Sequence, residues 1–239
     1  MEAISIFIQP HEEISRAIEE AIQTQAIKAW PMSLKSGEYL FREGENIRQT
    51  FYISRGLVRL SSNNIDGRSK TVFFHKAGTL IGFQWLNQGN ERKPSILNAR
   101  ATSTCELFAI DGKSFFDYMR GNGDLSYWMC EYLFKMLSLQ AREAVNASVY
   151  PVLQRFAALV LALTRELGSL QAPAIVPFSN AELAEMLGVH PNSIANAITS
   201  LRKSDCVEKQ RSFLVVTDFR KLKNVAESLI DSDGIPSHE

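Results

Sequence analysis

The hydrophobic pattern of the chain changes its period twice. Residues 2–28 place Ile14, Ile18 and Ile22 at helical spacing, which predicts a short amphipathic helix. Apolar and polar residues then alternate in four short runs, at 30–45, 50–62, 69–83 and 96–110. Alternation predicts β-strands, and Asp66-Gly67 between two of the runs predicts a hairpin turn. Several short strands at regular spacing predict an N-terminal barrel or sandwich.

Helical periodicity returns after the turn at 121–124, where Asp124 is placed to cap a long helix. Apolar residues recur there at the spacing of a coiled-coil seam: Leu125, Met129, Tyr132, Met136 and Leu139. The seam continues to the polar Asn146, which would fix register between two helices. Because Tyr127, Trp128 and Leu133 form a second apolar flank, we expect one face to pack on the barrel and the other to form a parallel homodimer. A helix that only packs on the barrel is the alternative.

The last third of the chain predicts a winged helix. Pro151 begins a new, strongly apolar helix and marks a domain boundary. Residues 178–203 form a helix-turn-helix pattern, in which Ser179 and Glu182 make a capping box and Gly188 ends the first helix. Pro191 fits the first turn of the second helix. A hairpin at 204–216 and a helix at 217–229 follow; an ordinary helical hairpin is the alternative for 178–203 alone.

Composition restricts the classes of function that fit the sequence but does not select one of them. The 239 residues are 45% hydrophobic and carry 26 basic and 26 acidic side chains, so any contact with nucleic acid must be local. The three cysteines form no C-x-x-C pair, and we expect reduced thiols, no metal and no cofactor in a cytoplasmic protein. No apolar run is long enough for a bilayer. The histidines are scattered and no nucleophile or phosphate loop is present, which argues against an enzyme.

The glycines of the strand region carry a resemblance. Gly37-Glu38, Gly44-Glu45, Gly56, Gly78 and Gly82 together resemble the cyclic-nucleotide-binding jelly roll over residues 30–110. Barrel, long helix and winged helix in this order resemble the bacterial family of the cyclic-AMP receptor protein and the fumarate and nitrate reductase regulator over residues 30–220. The resemblance implies an α+β fold: a β jelly-roll barrel at 1–123, a dimerisation helix at 124–150 and a winged helix-turn-helix domain at 151–239. It also implies a homodimeric transcription regulator of palindromic double-stranded DNA, with RNA polymerase as a further partner and a small-molecule effector.

The effector cassette departs from the family pattern. A glutamate for the ribose should follow Gly82, and an arginine for the cyclic phosphate should follow some residues later, but Phe83 stands at the glutamate position. We expect an apolar, aromatic or organic-acid effector; alternatively the rings fill the barrel and nothing binds, or oxidation of Cys105 or Cys130 replaces the effector. Leu80-Ile81-Gly82 and the turn at Gly188 are most similar to the branch that senses halogenated aromatics in halorespiring bacteria. The predicted effector residues are Gly82, Phe83, Gln84, Trp85, Arg92, Tyr127 and Trp128.

The resemblance places the second helix of the motif in the major groove. The base-reading positions then fall on Pro191, Asn192 and Asn196, where the family's usual arginine and glutamate are absent. Asparagine pairs bidentately with adenine, so these residues predict half-sites rich in A·T pairs; solvated polar positions are the alternative. The predicted DNA-binding set is Ser179, His190, Pro191, Asn192, Ser193, Asn196, Ser200, Arg202, Lys203 and Arg211, with Lys209 as a further phosphate contact.

Overall fold

The computed structural model describes residues 6–63, 69–83, 94–168, 171–211 and 213–230, with side chains as far as 227. The chain divides into two compact units, Ile6–Leu137 and Ser138–Glu239 with the first five residues. The domain limits at 123 and 150 stay a prediction; the long helix runs over Gly123–Val149, and the two units meet inside it. Each unit is described separately.

The first unit is built from two sheets. Its elements are β1 Phe7–Ile8, α1 Glu12–Gln23, β2 Ala29–Leu34, β3 Tyr39–Phe41, β4 Gln49–Arg55, β5 Leu57–Asn63, β6 Ser69–Lys76, β7 Leu80–Ile81, β8 Asn98–Ala101, β9 Cys105–Asp111, α2 Gly112–Gly121 and α3 Gly123–Val149. One sheet has the order β1-β6-β5-β8-β3 and the other β2-β9-β4-β7. The predicted barrel-like β domain is confirmed; β1 and α2 are additional. The Asp66-Gly67 turn lies outside the described residues, although β5 and β6 on either side of it pair antiparallel.

Alternating side chains fill the space between the sheets. Phe51 and Ile53 of β4 join the barrel core, which also contains Val58, Leu60 and Ile81. Tyr52, between them on β4, faces the other way, and its hydroxyl donates to Glu19 Oε1 of α1 at 2.6 Å. Burial, and then that hydrogen bond, raise the pKa of Tyr52. One face of β4 therefore builds the core, and the other holds the N-terminal helix.

The long helix begins one residue earlier than its predicted cap. Asn122 Oδ1 accepts from the Leu125 amide at 3.0 Å, so Asn122 is the capping side chain. Asp124 lies in the first turn, where its charge favours the positive end of the helix dipole. The expectation that Asp124 is the cap is wrong by two positions, because an Asx side chain caps the amide three residues onward.

The second unit contains helices and a small sheet. Beyond its share of α3, its elements are α4 Val152–Glu166, β10 Ala174–Val176, α5 Asn180–Leu187, α6 Pro191–Lys203, β11 Val207–Lys209, β12 Leu214–Val216 and α7 Phe219–Ile230. The sheet has the order β10-β12-β11. The predicted helix-turn-helix and wing hairpin are present, and β10 adds a third strand to the wing. Pro151 is the residue before α4, as predicted.

Candidate functional sites

The helix-turn-helix is fixed by local capping. Ser179 Oγ accepts from the Glu182 amide at 3.2 Å, and Glu182 Oε2 accepts from the Ser179 amide at 2.8 Å. Gly188 then adopts a left-handed conformation with φ of 68° and ends α5. Ser179 is exposed, but its hydroxyl and amide already form the capping box. The structure therefore assigns it a structural part in the motif, beyond its predicted place near DNA.

The start of α6 also uses a predicted DNA-binding residue as a cap. His190 Nδ1 accepts from the Asn192 amide at 3.2 Å, and Pro191 occupies the first helical turn. His190, Pro191 and Asn192 are all exposed. This arrangement fixes the direction in which the first turn of α6 presents its side chains.

One face of α6 is free of contacts with the core. Ile194, Ile198 and Leu201 are buried, while the exposed side chains include Asn192, Asn196, Thr199 and Lys203. These four recur at steps of four, three and four residues and so lie along one side of the helix. We call them the reading row. Ser200 is exposed beside it, and Ser193 is half-buried.

The reading row contains one residue that sequence analysis missed. Thr199 lies between Asn196 and Lys203 on the exposed side, and its Oγ1 donates to the Ala195 carbonyl at 2.9 Å. That bond turns the hydroxyl hydrogen inward and leaves the methyl group on the exposed side, where it can contact a thymine methyl. Counting helical steps from Asn192 would have identified this position.

The predicted phosphate contacts are basic side chains at the end of α6 and in the hairpin that follows it. Arg202 and Lys203 in the last turn of α6 are exposed, as is Arg211 after β11. Lys209 of β11 is half-buried, and desolvation lowers its pKa. Arg202, Lys203 and Arg211 are therefore the better placed for contacts with phosphates.

The backbone conformation at Gly82, the cassette glycine, requires a glycine. Gly82 has a φ of 89°, and a Cβ there would lie 2.9 Å from the Gln49 carbonyl oxygen and 3.0 Å from the Phe51 ring. Phe83, where the family pattern has glutamate, is half-buried. The other cassette residues, Gln84, Trp85 and Arg92, lie outside the described residues.

Two further predicted effector residues, Tyr127 and Trp128, lie on the long helix. Tyr127 is 62% exposed, and its hydroxyl donates to Glu131 Oε1 at 3.1 Å. Trp128 is half-buried, and its ring centroid is 6.4 Å from that of His11, near the N-terminus. Tyr127 therefore does not enclose a site within its own chain, and its assignment to the effector site stays a prediction.

The predicted dimer seam is mostly buried within the chain. Leu125, Met129 and Tyr132 are 0%, 2% and 5% exposed, and the Tyr132 hydroxyl donates to the Leu80 carbonyl of β7 at 3.2 Å. Met136 and Leu139 are half-buried, and Asn146 is buried. The first three residues therefore hold α3 on the barrel, and their assignment to dimerisation is corrected. The opposite side of the helix within the first unit exposes a mainly apolar row that we call the outward stripe: Tyr127, Cys130, Phe134 and Leu137.

A buried arginine joins three helices of the second unit. Arg155 of α4 has a side chain 6% exposed, and its Nη2 lies 3.6 Å from Glu143 Oε1 of α3. The same nitrogen donates to the Leu187 carbonyl at the end of α5 at 2.8 Å. Sequence analysis did not identify this contact, because α4 is a strongly apolar helix and the partners of Arg155 are distant in sequence.

Within the described residues, no group of His, Cys, Asp or Glu is arranged to hold a metal ion. None of the helices in that part of the chain has the length and hydropathy of a membrane span.

Comparisons with known proteins agree with this architecture. The cyclic nucleotide-binding domain family matches residues 31–122, and the Crp-like helix-turn-helix domain family matches residues 154–225. The chain is 20% identical over 214 residues to the cAMP-activated global transcriptional regulator CRP of Haemophilus influenzae, covering 86% of this chain and 94% of that protein. Among solved structures, the c-di-GMP responsive global regulator CLP of Xanthomonas campestris superposes with a TM-score of 0.73 at 17% identity, covering 84% and 99% of the two chains. CprK complexed with OCPA gives 0.64 at 17% identity, covering 92% and 99%.

The curated relatives and the Crp-like helix-turn-helix match are those of a family of transcription regulators. The order of the two matched domains along the chain and the geometry of both units agree with that class. The chain therefore belongs to the CRP/FNR family of DNA-binding transcription regulators, with an effector-binding domain of the cyclic-nucleotide-binding type before a Crp-like helix-turn-helix.

Proposed function

We propose that the chain is a homodimeric regulator whose affinity for DNA is set by a small molecule bound in the barrel, and that this molecule is not a cyclic nucleotide. The relatives are named for different effectors, cAMP, c-di-GMP and OCPA, so the fold does not specify the ligand. The replacement of the cassette glutamate by the half-buried Phe83 supports an apolar ligand, because a ribose needs a hydrogen-bond acceptor there. A promoter-bound dimer would make RNA polymerase a further partner.

The reading row is the observation that carries the DNA-binding part of the proposal. Asn192 and Asn196 lie one turn apart on the exposed side of α6, and the buried side of the helix is tied to the core by Ile194, Ile198 and Leu201. A rigid helix with two exposed carboxamides can present both to adjacent adenines in a major groove. We therefore propose palindromic sites whose half-sites are rich in A·T pairs.

Asn196→Ala should weaken binding to the preferred site by about 1–3 kcal/mol, or about 5- to 150-fold, because one bidentate pair with adenine is lost. It should also relax sequence preference at one position of each half-site. Selection from a random duplex library identifies the site for the wild type, and fluorescence anisotropy then compares the two proteins on that site and on single-base variants.

Asn224→Ala is the matched control, since Asn224 is an exposed asparagine of α7 outside the reading row. It should leave affinity and preference unchanged. An equal loss of affinity on every sequence for Asn196→Ala would instead make Asn196 a phosphate contact. Failure of the wild type to select any duplex, with or without added small molecules, would end the DNA-binding proposal.

The outward stripe supports a homodimer. Its residues recur at steps of three, four and three over about three turns of α3, and Phe134 and Leu137 are 71% and 65% exposed. That spacing is the spacing of a coiled-coil seam, and the burial of Leu125 and Met129 leaves this as the apolar face still open. A second copy presents the same stripe, so a parallel pair buries both.

Cys130 gives a direct test, because equivalent seam positions of two parallel helices face each other. Mild oxidation of the wild type should produce a disulfide-linked dimer on non-reducing gels, and Cys130→Ser should abolish it while leaving the dimer intact in sedimentation. Cys105→Ser should have no effect, since Cys105 is 0% exposed. Sedimentation as a monomer, or a cross-link that depends on Cys105, would rule out this seam.

The burial of the cysteines limits which thiol could make the protein redox-responsive. Cys105 is buried, and its Sγ lies 3.3 Å from the Ser103 carbonyl oxygen, so it is inaccessible to oxidants in the folded chain. Cys206 is also buried, and desolvation raises its pKa. A redox-responsive regulator would have to act through the exposed Cys130. Comparing the DNA affinity of cross-linked and reduced dimers distinguishes it from effector control.

A further inference from the structure

Thr199 lies on the side of α6 that faces directly away from the core of the second unit, and it is exposed. Ile194, Ile198 and Leu201 hold the opposite side of the helix in that core. Successive residues of an α-helix are about 100° apart, so Thr199 lies only about 20° round the helix from Asn192. A helix that enters a major groove with Asn192 towards the bases therefore presents Thr199 to the bases as well.

The hydrogen bond of the Thr199 hydroxyl decides which side-chain atom a base would meet. Oγ1 donates to the Ala195 carbonyl oxygen at 2.9 Å, one turn earlier in the helix. The oxygen therefore lies against the backbone of its own helix, and the methyl carbon is the atom left for contacts outside it. Thr199 thus differs from Asn192 and Asn196, whose carboxamides offer a base hydrogen-bond donors and acceptors.

Helix stability gives no reason for a threonine at this position. Alanine, lysine and glutamate all stabilise the exposed middle of a helix better than threonine does. The bond from Oγ1 to the Ala195 carbonyl does not compensate, because a back-bond of this kind slightly destabilises a helix. Contact with DNA is the state in which an exposed methyl group on this face gains a partner.

Thymine is the base that such a methyl group fits. Among the four bases, thymine alone carries a methyl group at the edge that lines the major groove, and the threonine methyl is one of the groups that pack against it. Contact between the two methyl groups removes apolar surface of both from water. The contact needs no free hydroxyl, which agrees with the engagement of Oγ1 by Ala195.

We propose that Thr199 determines specificity for one thymine in each half-site through contact between the two methyl groups. This rests on the proposed recognition of A·T pairs by α6 and adds a thymine at a defined place. Asn196 and Thr199 are about 4.5 Å apart along the helix axis, and base pairs of DNA are about 3.4 Å apart. The thymine should therefore lie within about two base pairs of the adenine that Asn196 reads.

Removal of single methyl groups from both partners tests the contact. Each thymine of the selected site is replaced in turn by deoxyuridine, which lacks the methyl group, and fluorescence anisotropy measures the affinity of the full-length protein. For the wild type, one such replacement in a half-site should weaken binding about three- to fivefold, the loss of one buried methyl group. Thr199→Ser keeps the hydroxyl but lacks the methyl group. It should bind the thymine site about three- to fivefold more weakly than the wild type and should be indifferent to that replacement.

Two further substitutions isolate the methyl group. Thr199→Val has the same shape and keeps a methyl group while replacing the hydroxyl, so it should keep the wild-type sensitivity to uracil. Cytosine in place of the same thymine removes every thymine contact, and 5-methylcytosine then restores the methyl group alone. This restoration should strengthen binding of the wild type about three- to fivefold and should have no effect on Thr199→Ser.

Thr217→Ser is the matched control. Thr217 is an exposed threonine outside α6, and its hydroxyl also donates to a backbone carbonyl, that of Asp205, at 3.0 Å. This variant should show the affinity and the uracil sensitivity of the wild type. Because the substituted residues are exposed, all of the variants should fold as the wild type does.

The outcomes separate this assignment from DNA binding itself. Equal affinity of the wild type for thymine and uracil at every position overturns the contact and leaves recognition by Asn192 and Asn196 standing. Equal sensitivity of the wild type and Thr199→Ser to uracil does the same. Loss of affinity in Thr199→Val but not in Thr199→Ser also overturns the contact, because it would assign the hydroxyl to DNA. A wild type that selects no duplex would overturn both this contact and the DNA-binding proposal.

Discussion

Replacing Arg155 with methionine should loosen the whole helix-turn-helix. Arg155→Met keeps most of the side-chain length but removes the group that lies between Glu143 Oε1 and the Leu187 carbonyl. Loss of one partner from a buried ion pair costs about 3–5 kcal/mol, and we expect about 2–4 here because Glu143 is 22% exposed and partly solvated. Hydrogen exchange with mass spectrometry should show faster exchange throughout α5 and α6.

Arg165→Met is the matched control on the same helix. Arg165 is exposed, so its replacement should change stability by less than about 0.5 kcal/mol. Glu143→Gln should fall between the two, since the amide keeps a hydrogen bond to Arg155 but loses the charge. Similar exchange rates in Arg155→Met and Arg165→Met would show that the buried contact contributes nothing beyond packing.

The same variants test whether the contact between Arg155 and Glu143 takes part in regulation. Glu143 lies on the long helix and Leu187 ends the first helix of the DNA-binding motif, so Arg155 is the side chain that touches both. A shift of the long helix within this unit would change that contact. If effector control passes through it, Glu143→Gln should reduce the effector-dependent change in DNA affinity more than it reduces stability. Arg165→Met should change neither.

The helix-turn-helix could be predicted nearly residue by residue because its limits are set locally. Ser179, Glu182, Gly188 and Pro191 each satisfy or terminate backbone groups within four residues of their own position. Local hydrogen bonds of this kind depend little on the rest of the fold. Alternation predicts strands in each of the four runs of the barrel, but each run, predicted as one short strand, contains two, and β1, with two residues, was not predicted.

The dimer face could not be predicted because the long helix carries two apolar stripes. Leu125, Met129 and Tyr132 have seam spacing, but so do Cys130, Phe134 and Leu137. Periodicity identifies a stripe without saying whether the chain's own barrel or a second copy covers it. Burial shows which stripe the chain itself covers, and that information lies in long-range contacts.

His75 is a second residue whose burial could not be predicted from periodicity. Alternation along β6 places it on the same face as Phe73, yet a lone polar residue near the end of a strand gives no sign of burial. Only the pairing with Val58 and Leu60 places this face in the core.

Gly56→Ala should be among the most destabilising substitutions in the barrel. Gly56 has a φ of 98°, and a Cβ there would lie 2.6 Å from both the Cys105 Sγ and the Thr104 carbonyl oxygen. The left-handed conformation and the overlap should together cost about 3–5 kcal/mol. Urea unfolding followed by tryptophan fluorescence measures this, because Trp30 and Trp128 lie in the first unit and the sequence has no tryptophan after residue 128.

Gly44→Ala isolates the steric part of that cost. Gly44 has a similar φ of 88° but no atom within 4 Å of the added Cβ, so its replacement should cost only about 1–2 kcal/mol. The difference between the two variants is the energy of pushing the turn after β4 away from the start of β9, where Cys105 joins the core. Equal costs would mean that this junction yields easily, and a yielding junction could transmit a change in the barrel interior. A large difference would instead make the turn at Gly56 a fixed point, so that effector-driven movement would have to arise elsewhere in the barrel.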